Sequence, residues 1–294
     1  YEQHLTATRA PESVPSDVDF SFDTVLDAAS EEDADAAQTA KLTGYYITTT
    51  MLASGIDQVR AALSQADDYN AVMVDVKSIF GSFYYSTAIS GAAKATVLDI
   101  KQVDQLIAEL AQQKGVTLIA RVPAFSDPEY ALKHQSQALP LYNGALWTDE
   151  HDCYWLNPYS NDVQGYLTSI ALELAGLGFD EVLFDNFYFP DSDRISWTGS
   201  VTKQEAILDA ADNLSANLLN QSIRLDLGTN DPEVAAYGAR AFITTNNASQ
   251  IEDDIAALSD VLPDTASQIV YLTDSRDTRF DACGAMRPLL DETE

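Results

Sequence analysis

The sequence is short of basic side chains. Sixteen Lys and Arg stand against 46 Asp and Glu, so the formal net charge of the 294 residues is −30 at pH 7. Proteins that bind nucleic acids or anionic membranes hold phosphate groups with Lys and Arg. This charge balance therefore argues against both kinds of partner, and a strongly anionic polysaccharide would meet the same repulsion.

Long apolar runs are also missing. No stretch approaches the roughly 18 consecutive apolar residues of a membrane-spanning helix. The N-terminus lacks the basic and then apolar pattern of a signal peptide. We therefore expect no membrane insertion of this chain. Because the chain begins with Tyr1, a targeting or anchoring segment could have preceded it, and we expect an extracytoplasmic protein, either secreted or anchored at the cell surface.

Cysteine and histidine are scarce, with two and three copies respectively. Cys153 and Cys283 permit one disulfide but do not form a disulfide framework, and free thiols are the favoured interpretation. No HExxH, CxxC, GxSxG or P-loop pattern is present. We expect neither a zinc site nor a cofactor. A Mg²⁺ or Ca²⁺ site built from Asp185, Asp191 and Asp193 is the alternative.

Residues 1–40 differ in composition from the rest of the chain. They contain ten acidic residues and a single basic one, Arg9. Such a segment repels itself and has little to bury, which favours an acidic tether; an ordered arm docking through Phe20 and Phe22 is the alternative. With 46% hydrophobic residues overall, residues 41–294 can form a full core as a single domain.

From residue 41 onward, short apolar runs rich in β-branched residues alternate with segments of helical periodicity, which is typical of βα units around a parallel sheet. The predicted strands are 45–50, 71–76, 117–122, 181–187, 223–227, 241–245 and 269–273, with an eighth near 280–286. The predicted helices are 56–65, 100–113, 163–177, 203–219, 232–237 and 250–261. Eight such units in about 250 residues predict a (β/α)8 TIM barrel, and a doubly wound open sheet is the alternative.

Acidic residues end several of the predicted strands. These are Asp75, Asp185, Asp226 and Asp274. In a barrel, the C-terminal strand ends form the active-site face, and a carboxylate between apolar runs is costly to bury unless it is paired. Each acid could instead belong to an ion pair at a strand end, for example Asp75 with Lys77 or Arg121. Four of them on one rim favour a functional site.

Paired carboxylates suit cleavage of a glycosidic bond, because one donates a proton while the other acts as nucleophile or base. We expect Asp185 in the second role and either Asp75 or Asp226 as proton donor. The long segment 124–158 adds aromatic residues, among them Trp147 and Trp155, with Tyr159 just beyond. Aromatic faces of this kind stack on sugar rings, although the same residues could form a small core within the loop.

Four blocks of sequence, in order, look like those of a known family. They are Val74-Asp75-Val76-Lys77 with Gly81 and Tyr85; residues 119–128 (IARVPAFSDP); Leu146-Trp147-Thr148-Asp149 leading to residues 155–159 (WLNPY); and residues 178–190 (GFDEVLFDNFYFP). These blocks resemble a bacterial family of putative glycosyl hydrolase domains, barrels distantly similar to glycoside hydrolase family 13. The resemblance covers about residues 42–275.

The resemblance implies a (β/α)8 barrel and a carbohydrate-directed hydrolase. By the family pattern, Asp185 would be the principal carboxylate, and Asp75, Lys77, Arg121 and Asp127 would line the same pocket. This chain departs from the pattern at residues 186–188, where Asn186, Phe187 and Tyr188 replace a usual Tyr-Val-Arg, and at Asn157, where the family tends to have Asp. A phenol thus stands where a basic residue is usual, and we expect Asn186 and Tyr188 to contact the substrate.

Together these observations predict a monomeric glycosidase that acts on an oligo- or polysaccharide, neutral or built from amino sugars. A non-catalytic carbohydrate-binding barrel at the cell surface is the alternative. A Mg²⁺-dependent lyase or aldolase-like barrel is a third possibility.

Overall fold

The computed structural model describes residues 40–290. The predicted acidic tether or arm, residues 1–40, lies outside the described residues except for Ala40. Ten strands are assigned in the described part: β1 Thr43–Ile47, β2 Ala71–Asp75, β3 Ser82–Phe83, β4 Ala93–Lys94, β5 Thr117–Pro123, β6 Glu181–Asp185, β7 Arg224–Gly228, β8 Ala241–Thr244, β9 Ile269–Leu272 and β10 Gly284–Pro288.

Eight of these strands close into a barrel in the order β1-β2-β5-β6-β7-β8-β9-β10, and every neighbouring pair is parallel. The last strand closes the barrel, because β10 pairs with β1 and places Ala285 opposite Thr43. An open sheet would leave both strands as edges, so the predicted (β/α)8 barrel is confirmed. The short strands β3 and β4 form a separate pair in the segment after β2.

The helices of the described part are α1 Thr49–Ser54, α2 Ile56–Gln65, α3 Ile100–Leu110, α4 Pro128–Lys133, α5 Asn161–Gly176, α6 Lys203–Leu218, α7 Pro232–Ala235, α8 Ile251–Leu258 and α9 Thr265–Gln268. Their starts follow capping chemistry: Ser160 caps α5, and Thr202 with Glu205 forms a capping box at α6. No helix of the described residues is long and apolar enough to cross a membrane.

The strand residues alternate between the helix layer and the barrel interior. On β6, Leu183 joins an apolar cluster whose members lie on strands around the barrel or, for Leu42, directly before one: Leu42, Ala71, Met73, Ile119, Leu183, Phe242, Val270, Leu272 and Met286. The same period of two places Glu181 one layer below Leu183 and Asp185 one layer above it. The barrel interior therefore has a charged layer at each end, separated by apolar side chains.

Both cysteines are buried and free. Burial raises the pKa of each thiol, and that of Cys283 reaches about 11. The structure thus agrees with the favoured interpretation that Cys153 and Cys283 are not bonded to each other.

Candidate active site

Three charged side chains meet at the C-terminal ends of three adjacent strands. Asp75 ends β2, Asp185 ends β6, and Arg121 lies between them on β5, opposite Asp75 in the strand register. Arg121 donates to both Asp75 oxygens, from Nε at 2.6 Å and from Nη2 at 2.7 Å. Its Nη1 is 3.8 Å from Asp185 Oδ2. One guanidinium therefore holds two of the predicted catalytic carboxylates at the same mouth of the barrel.

Arg121 remains a cation in this position. Burial alone would lower its pKa, but the charges of Asp75 and Asp185 outweigh that effect and raise it. The guanidinium also lies over the ring of Tyr46, 5.4 Å from its centroid. The two carboxylates do not share their cation equally, because Asp75 uses both oxygens in the bidentate pair while Asp185 makes only the longer contact.

A sharp turn after β6 presents Asp185. Asn186 has a φ of 54°, a left-handed conformation that Asn tolerates better than most residues, and its backbone N–H donates to Asp185 Oδ1 at 2.8 Å. The neighbouring strand leaves room for the carboxylate because it has no side chain there: a Cβ on Gly228 would lie 2.6 Å from Asp185 Oδ1. The Asp185 side chain is 21% exposed, so it is accessible from the barrel mouth.

Three cavities border this turn, and Asn186 contributes to the wall of each. The first, which we call the β7 cavity, has a volume of about 560 Å³ and is lined by Asp185, Lys203 and Asp231, among others. The second, the β2 cavity, has about 450 Å³ and contains the Asp75–Arg121 pair beside Asp185. Asp185 thus borders two adjoining cavities.

The third cavity, the loop cavity, has a volume of about 300 Å³ and lies between the turn after β6 and the long segment after β5. Its lining residues are Ile79, Ser126, Trp147, Asp149, Glu150, His151, Trp155, Asn186, Tyr188, Pro190 and Asp191. Three of these are acidic and none is Lys or Arg. The loop cavity is therefore the most negatively charged of the three in its lining.

Lys77 and Asp127, both predicted to contact substrate, form a buried ion pair with each other. Lys77 Nζ is 3.0 Å from Asp127 Oδ2, and the two side chains are 1% and 2% exposed. Tyr166 donates to the same oxygen at 2.9 Å, and Asp127 Oδ1 accepts the backbone N–H of Tyr130 as the cap of α4. Although Lys77 borders the β2 cavity, its ammonium faces Asp127, so the pair joins two loops beneath the cavity.

Asp226 lies apart from the Asp75–Arg121–Asp185 group. It is fully buried within β7 beside Leu183, one layer below the level of Asp185, and borders none of the three cavities. Its neighbours are the buried Glu181 and the arginines that pair with Glu181, Arg224 and Arg240. Burial and the Glu181 charge raise the pKa of Asp226 well above its usual range.

Burial and the Glu181 charge therefore favour the protonated form of Asp226, and neither of its oxygens has a hydrogen-bond partner among the described residues. Burial alone would raise the pKa of Glu181, but Arg240, Asp226 and Arg224 together lower it. This group closes the N-terminal end of the barrel interior.

Most of the predicted aromatic contacts form a small core within the long segment. Trp147 and Trp155 pack edge to face at 6.1 Å and are 7% and 4% exposed. Each contributes a limited surface to the loop cavity. Tyr188 is 49% exposed and lies 5.3 Å from Trp155 between ring centroids. Tyr159 instead packs against Trp197, 6.5 Å away, and borders none of the three cavities.

The remaining predicted residues lie at the edge of this face or outside it. Asp274 is exposed after β9, where its backbone N–H donates to Asn246 Oδ1, and it borders none of the three cavities. Within residues 40–290, no three side chains of His, Cys, Asp and Glu are grouped closely enough to hold a metal ion. Asp191 and Asp193 therefore do not combine with Asp185 into such a group.

Sequence reasoning missed residues that border the cavities. Glu150 and Asp231 lie in loops, where no periodic pattern marks a side chain as facing a site. Phe80 is 57% exposed at the β2 cavity, although Phe83 and Tyr85 from the same stretch are fully buried. For Glu150 a weak signal existed, since it follows directly on the Leu146–Asp149 block.

The fold and these motifs agree with known proteins. Residues 44–272 match the model of a family described as a putative glycosyl hydrolase domain. A solved structure of a hypothetical protein from Ruminiclostridium thermocellum is similar, with 28% identity over 62% of this chain and 96% of that chain and a TM-score of 0.54. No curated protein sequence matches the chain significantly.

Two solved structures of lower sequence identity share the fold. Ega3 of Aspergillus fumigatus, solved in complex with galactosamine, has 12% identity and a TM-score of 0.53 over 85% of this chain and 93% of that one. The glycoside hydrolase domain of PelA from Pseudomonas aeruginosa has 13% identity and a TM-score of 0.51 over 85% and 94%. With the family model covering most of the barrel, the chain belongs to the family of putative glycosyl hydrolase domains.

Proposed function

We propose that the chain hydrolyses glycosidic bonds in a cleft formed by the three cavities, with Asp185 as the nucleophile or as the base that activates water. The observation that carries this proposal is the position of Asp185. Its carboxylate borders two cavities, is 21% exposed, and makes one 3.8 Å contact with Arg121 in place of a bidentate pair. A carboxylate held in this way can face the anomeric carbon of a sugar, where positive charge develops during cleavage.

Arg121 and Asp75 act on Asp185 together. Because Asp75 takes two hydrogen bonds from Arg121, it fixes the guanidinium in the mouth of the barrel. The third nitrogen of Arg121 and the backbone N–H of Asn186 then orient Asp185 from two sides. Asp75 is thus a positioning residue in this proposal, since both of its oxygens are engaged.

The substrate we propose is a glycan of neutral or amino sugars. The loop cavity has three acidic side chains and no Lys or Arg, so an anionic sugar would be repelled and an ammonium group attracted. The exposed ring of Tyr188 offers an apolar face for a sugar ring beside these charges. The galactosamine bound to Ega3, which shares the fold, supports this substrate class. We further propose that the protein acts outside the cytoplasm, where such polymers are found.

The test is a panel of chito-, cello- and galactosamine oligosaccharides, assayed for hydrolysis by the wild-type chain and by Asp185→Asn. We expect at least one glycan to be cleaved by the wild type and none by the variant, with the thermal unfolding of the variant unchanged within a few degrees. Asp193→Asn is the matched control, since it removes an exposed acid from the same loop that borders none of the cavities. Full activity of Asp185→Asn would contradict the assignment.

A second candidate function is carbohydrate binding without catalysis. The observation in its favour is that both proton donors predicted from the sequence are engaged: Asp75 is paired with Arg121, and Asp226 is buried below the site. Calorimetric titration with the same panel separates the two functions. Binding by the wild type without release of any product would favour the non-catalytic barrel.

A further inference from the structure

Cleavage of a glycosidic bond needs a proton donor as well as Asp185, and the acids that border the three cavities are the available groups. They are Asp75, Asp149, Glu150, Asp185, Asp191 and Asp231. Assigning a donor among them rests on the proposed hydrolase function.

Three of these acids already accept hydrogen bonds from groups of the protein. Asp75 accepts two hydrogen bonds from Arg121. Asp231 caps α7 through the backbone N–H of Glu233 and also accepts from Gln204 Nε2. Asp149 accepts from the backbone N–H of His151 and of Cys153 through Oδ1, and from Trp155 Nε1 through Oδ2. A carboxylate whose oxygens accept hydrogen bonds from protein groups in this way is not free to donate a proton to a substrate.

Glu150 is in the opposite situation. Its side chain is 83% exposed, and its carboxylate lies 4.0 Å from His151 Nε2, which is at the limit of an ion pair. The carboxyl therefore has room to approach a ligand in the loop cavity, which it borders.

The turn that carries Glu150 is firmly held. Thr148 and Tyr154 form an antiparallel bridge on either side of it, and Asp149 N donates to Cys153 O at 3.1 Å. The three hydrogen bonds to the Asp149 side chain close the turn from within, and Asp152 completes it in a left-handed conformation with a φ of 58°. Glu150 is thus presented from a fixed backbone, as an acid catalyst requires.

Tyr188 connects this turn with the site of Asp185. Burial is the main cause that raises the pKa of Tyr188, and the charges of Glu150, Asp149 and Asp185 raise it further. The charges of Glu150 and of Asp185 therefore both act on the Tyr188 phenol. The Tyr188 side chain borders the β7 cavity and the loop cavity. Tyr188 is thus shared by a cavity that Asp185 borders and the cavity that Glu150 borders.

We propose that Glu150 is the proton donor of the reaction. Its carboxylic acid proton passes to the glycosidic oxygen as the bond between that oxygen and the anomeric carbon breaks, and the electron pair of the bond stays with the leaving oxygen. Asp185 either forms the bond to the anomeric carbon or takes a proton from the water that does so. In the first case, Glu150, now a carboxylate, removes a proton from the water that displaces Asp185, and both groups return to their starting state.

The sharpest test compares leaving groups. The variants Glu150→Gln, Asp191→Asn and Asp152→Asn are assayed on the panel glycan that the wild type cleaves and on the 2,4-dinitrophenyl glycoside of the same sugar, whose leaving group needs no proton. We expect Glu150→Gln to lower kcat/KM on the glycan by about 10²–10⁴-fold. The loss on the dinitrophenyl glycoside should be below about tenfold, since only the acid step is removed. Asp152→Asn, an exposed acid on the same turn, should match the wild type on both substrates.

The separate kinetic constants give a second readout. The loss of Glu150→Gln on the glycan should appear in kcat, because the donor acts while the bond is cleaved. Two results for Glu150→Gln would overturn its assignment as the donor: an equal loss on both substrates, or a rise in KM with unchanged kcat. The assignment would also be wrong if Asp191→Asn lost activity on the glycan but kept it on the dinitrophenyl glycoside. Because Asp185→Asn should lose activity on both substrates, failure of the donor assignment remains distinct from failure of the proposed hydrolase function.

Discussion

Replacing Asp226 by Asn should make the protein more stable at neutral pH and leave its activity intact. In the folded barrel, Asp226 is a buried acid whose pKa is raised by burial and by the Glu181 carboxylate. In the unfolded chain, it titrates near pH 3.9. Between these two values, the folded state keeps a proton that the unfolded state has released.

The sign of the effect follows from proton linkage. Because the folded state binds more protons in this range, the free energy of unfolding falls as pH rises, by about 1.4 kcal/mol for each pH unit until the folded pKa is reached. Asn cannot ionise, and its amide can donate to Glu181. Relative to wild type, Asp226→Asn should therefore gain stability as pH rises from 5 to 7, by up to about 1.4 kcal/mol for each pH unit.

The assay is urea-induced unfolding of the wild type and of Asp226→Asn at a series of pH values from 5 to 7, with glycan hydrolysis measured on the same samples. Asp57→Asn serves as the control, because its side chain is 97% exposed and should leave the wild-type slope unchanged. If Asp226→Asn kept the wild-type pH dependence, Asp226 would be ionised in the folded state. If it abolished hydrolysis without unfolding the barrel, the separation of Asp226 from the site of Asp185 would be wrong.

Two further predictions concern the walls of the cleft. Gly228→Ala should lower kcat by at least about tenfold, because its Cβ would lie 2.6 Å from Asp185 Oδ1 and 2.8 Å from Asp185 Cα and so displace the carboxylate together with its turn. Gly165→Ala, in α5 with open space around its Cβ, is the control, and equal kinetics of the two variants would refute this reasoning. Lys77→Met should destabilise the protein by about 3–5 kcal/mol in urea unfolding, since it leaves Asp127 charged and buried. Lys133→Met breaks a pair with Glu129 that is almost half exposed and should cost less than about 1 kcal/mol, so similar losses would contradict the structural role of Lys77.

The barrel was predictable because its strands combine two strong local signals, β-branched runs and intervening helices with apolar faces. The helix predicted at 56–65 coincides with Ile56–Gln65, and the strand predicted at 71–76 differs from Ala71–Asp75 by one residue. The strand predicted at 45–50 ends at Ile47 because the Thr48 hydroxyl accepts the backbone N–H of Met51 and starts α1. In a run of Thr residues, the sequence alone does not show whether one Thr caps a helix or continues a strand, because Thr favours both positions.

The site was predictable only in part. Asp75, Arg121 and Asp185 were expected near one another because parallel strands end on the same face, and the structure brings them together. Whether an inward-facing acid lies at the mouth or one layer deeper depends on where its strand begins in the barrel. Asp226 is followed in β7 by Leu227 and Gly228, which places it below the rim. Loop residues such as Glu150 carry no such register and could be found only from the folded chain.

The apolar layer between the two charged ends of the barrel has a consequence for changing the enzyme. Leu183, Met73 and their neighbours keep Glu181, Arg224 and Arg240 from any shared hydrogen bond with Arg121. Substitutions in the Glu181–Arg224–Arg240 network that raise the unfolding temperature can therefore be combined with substitutions around Asp185 that change the sugar bound. The effects of the two sets should add in one chain.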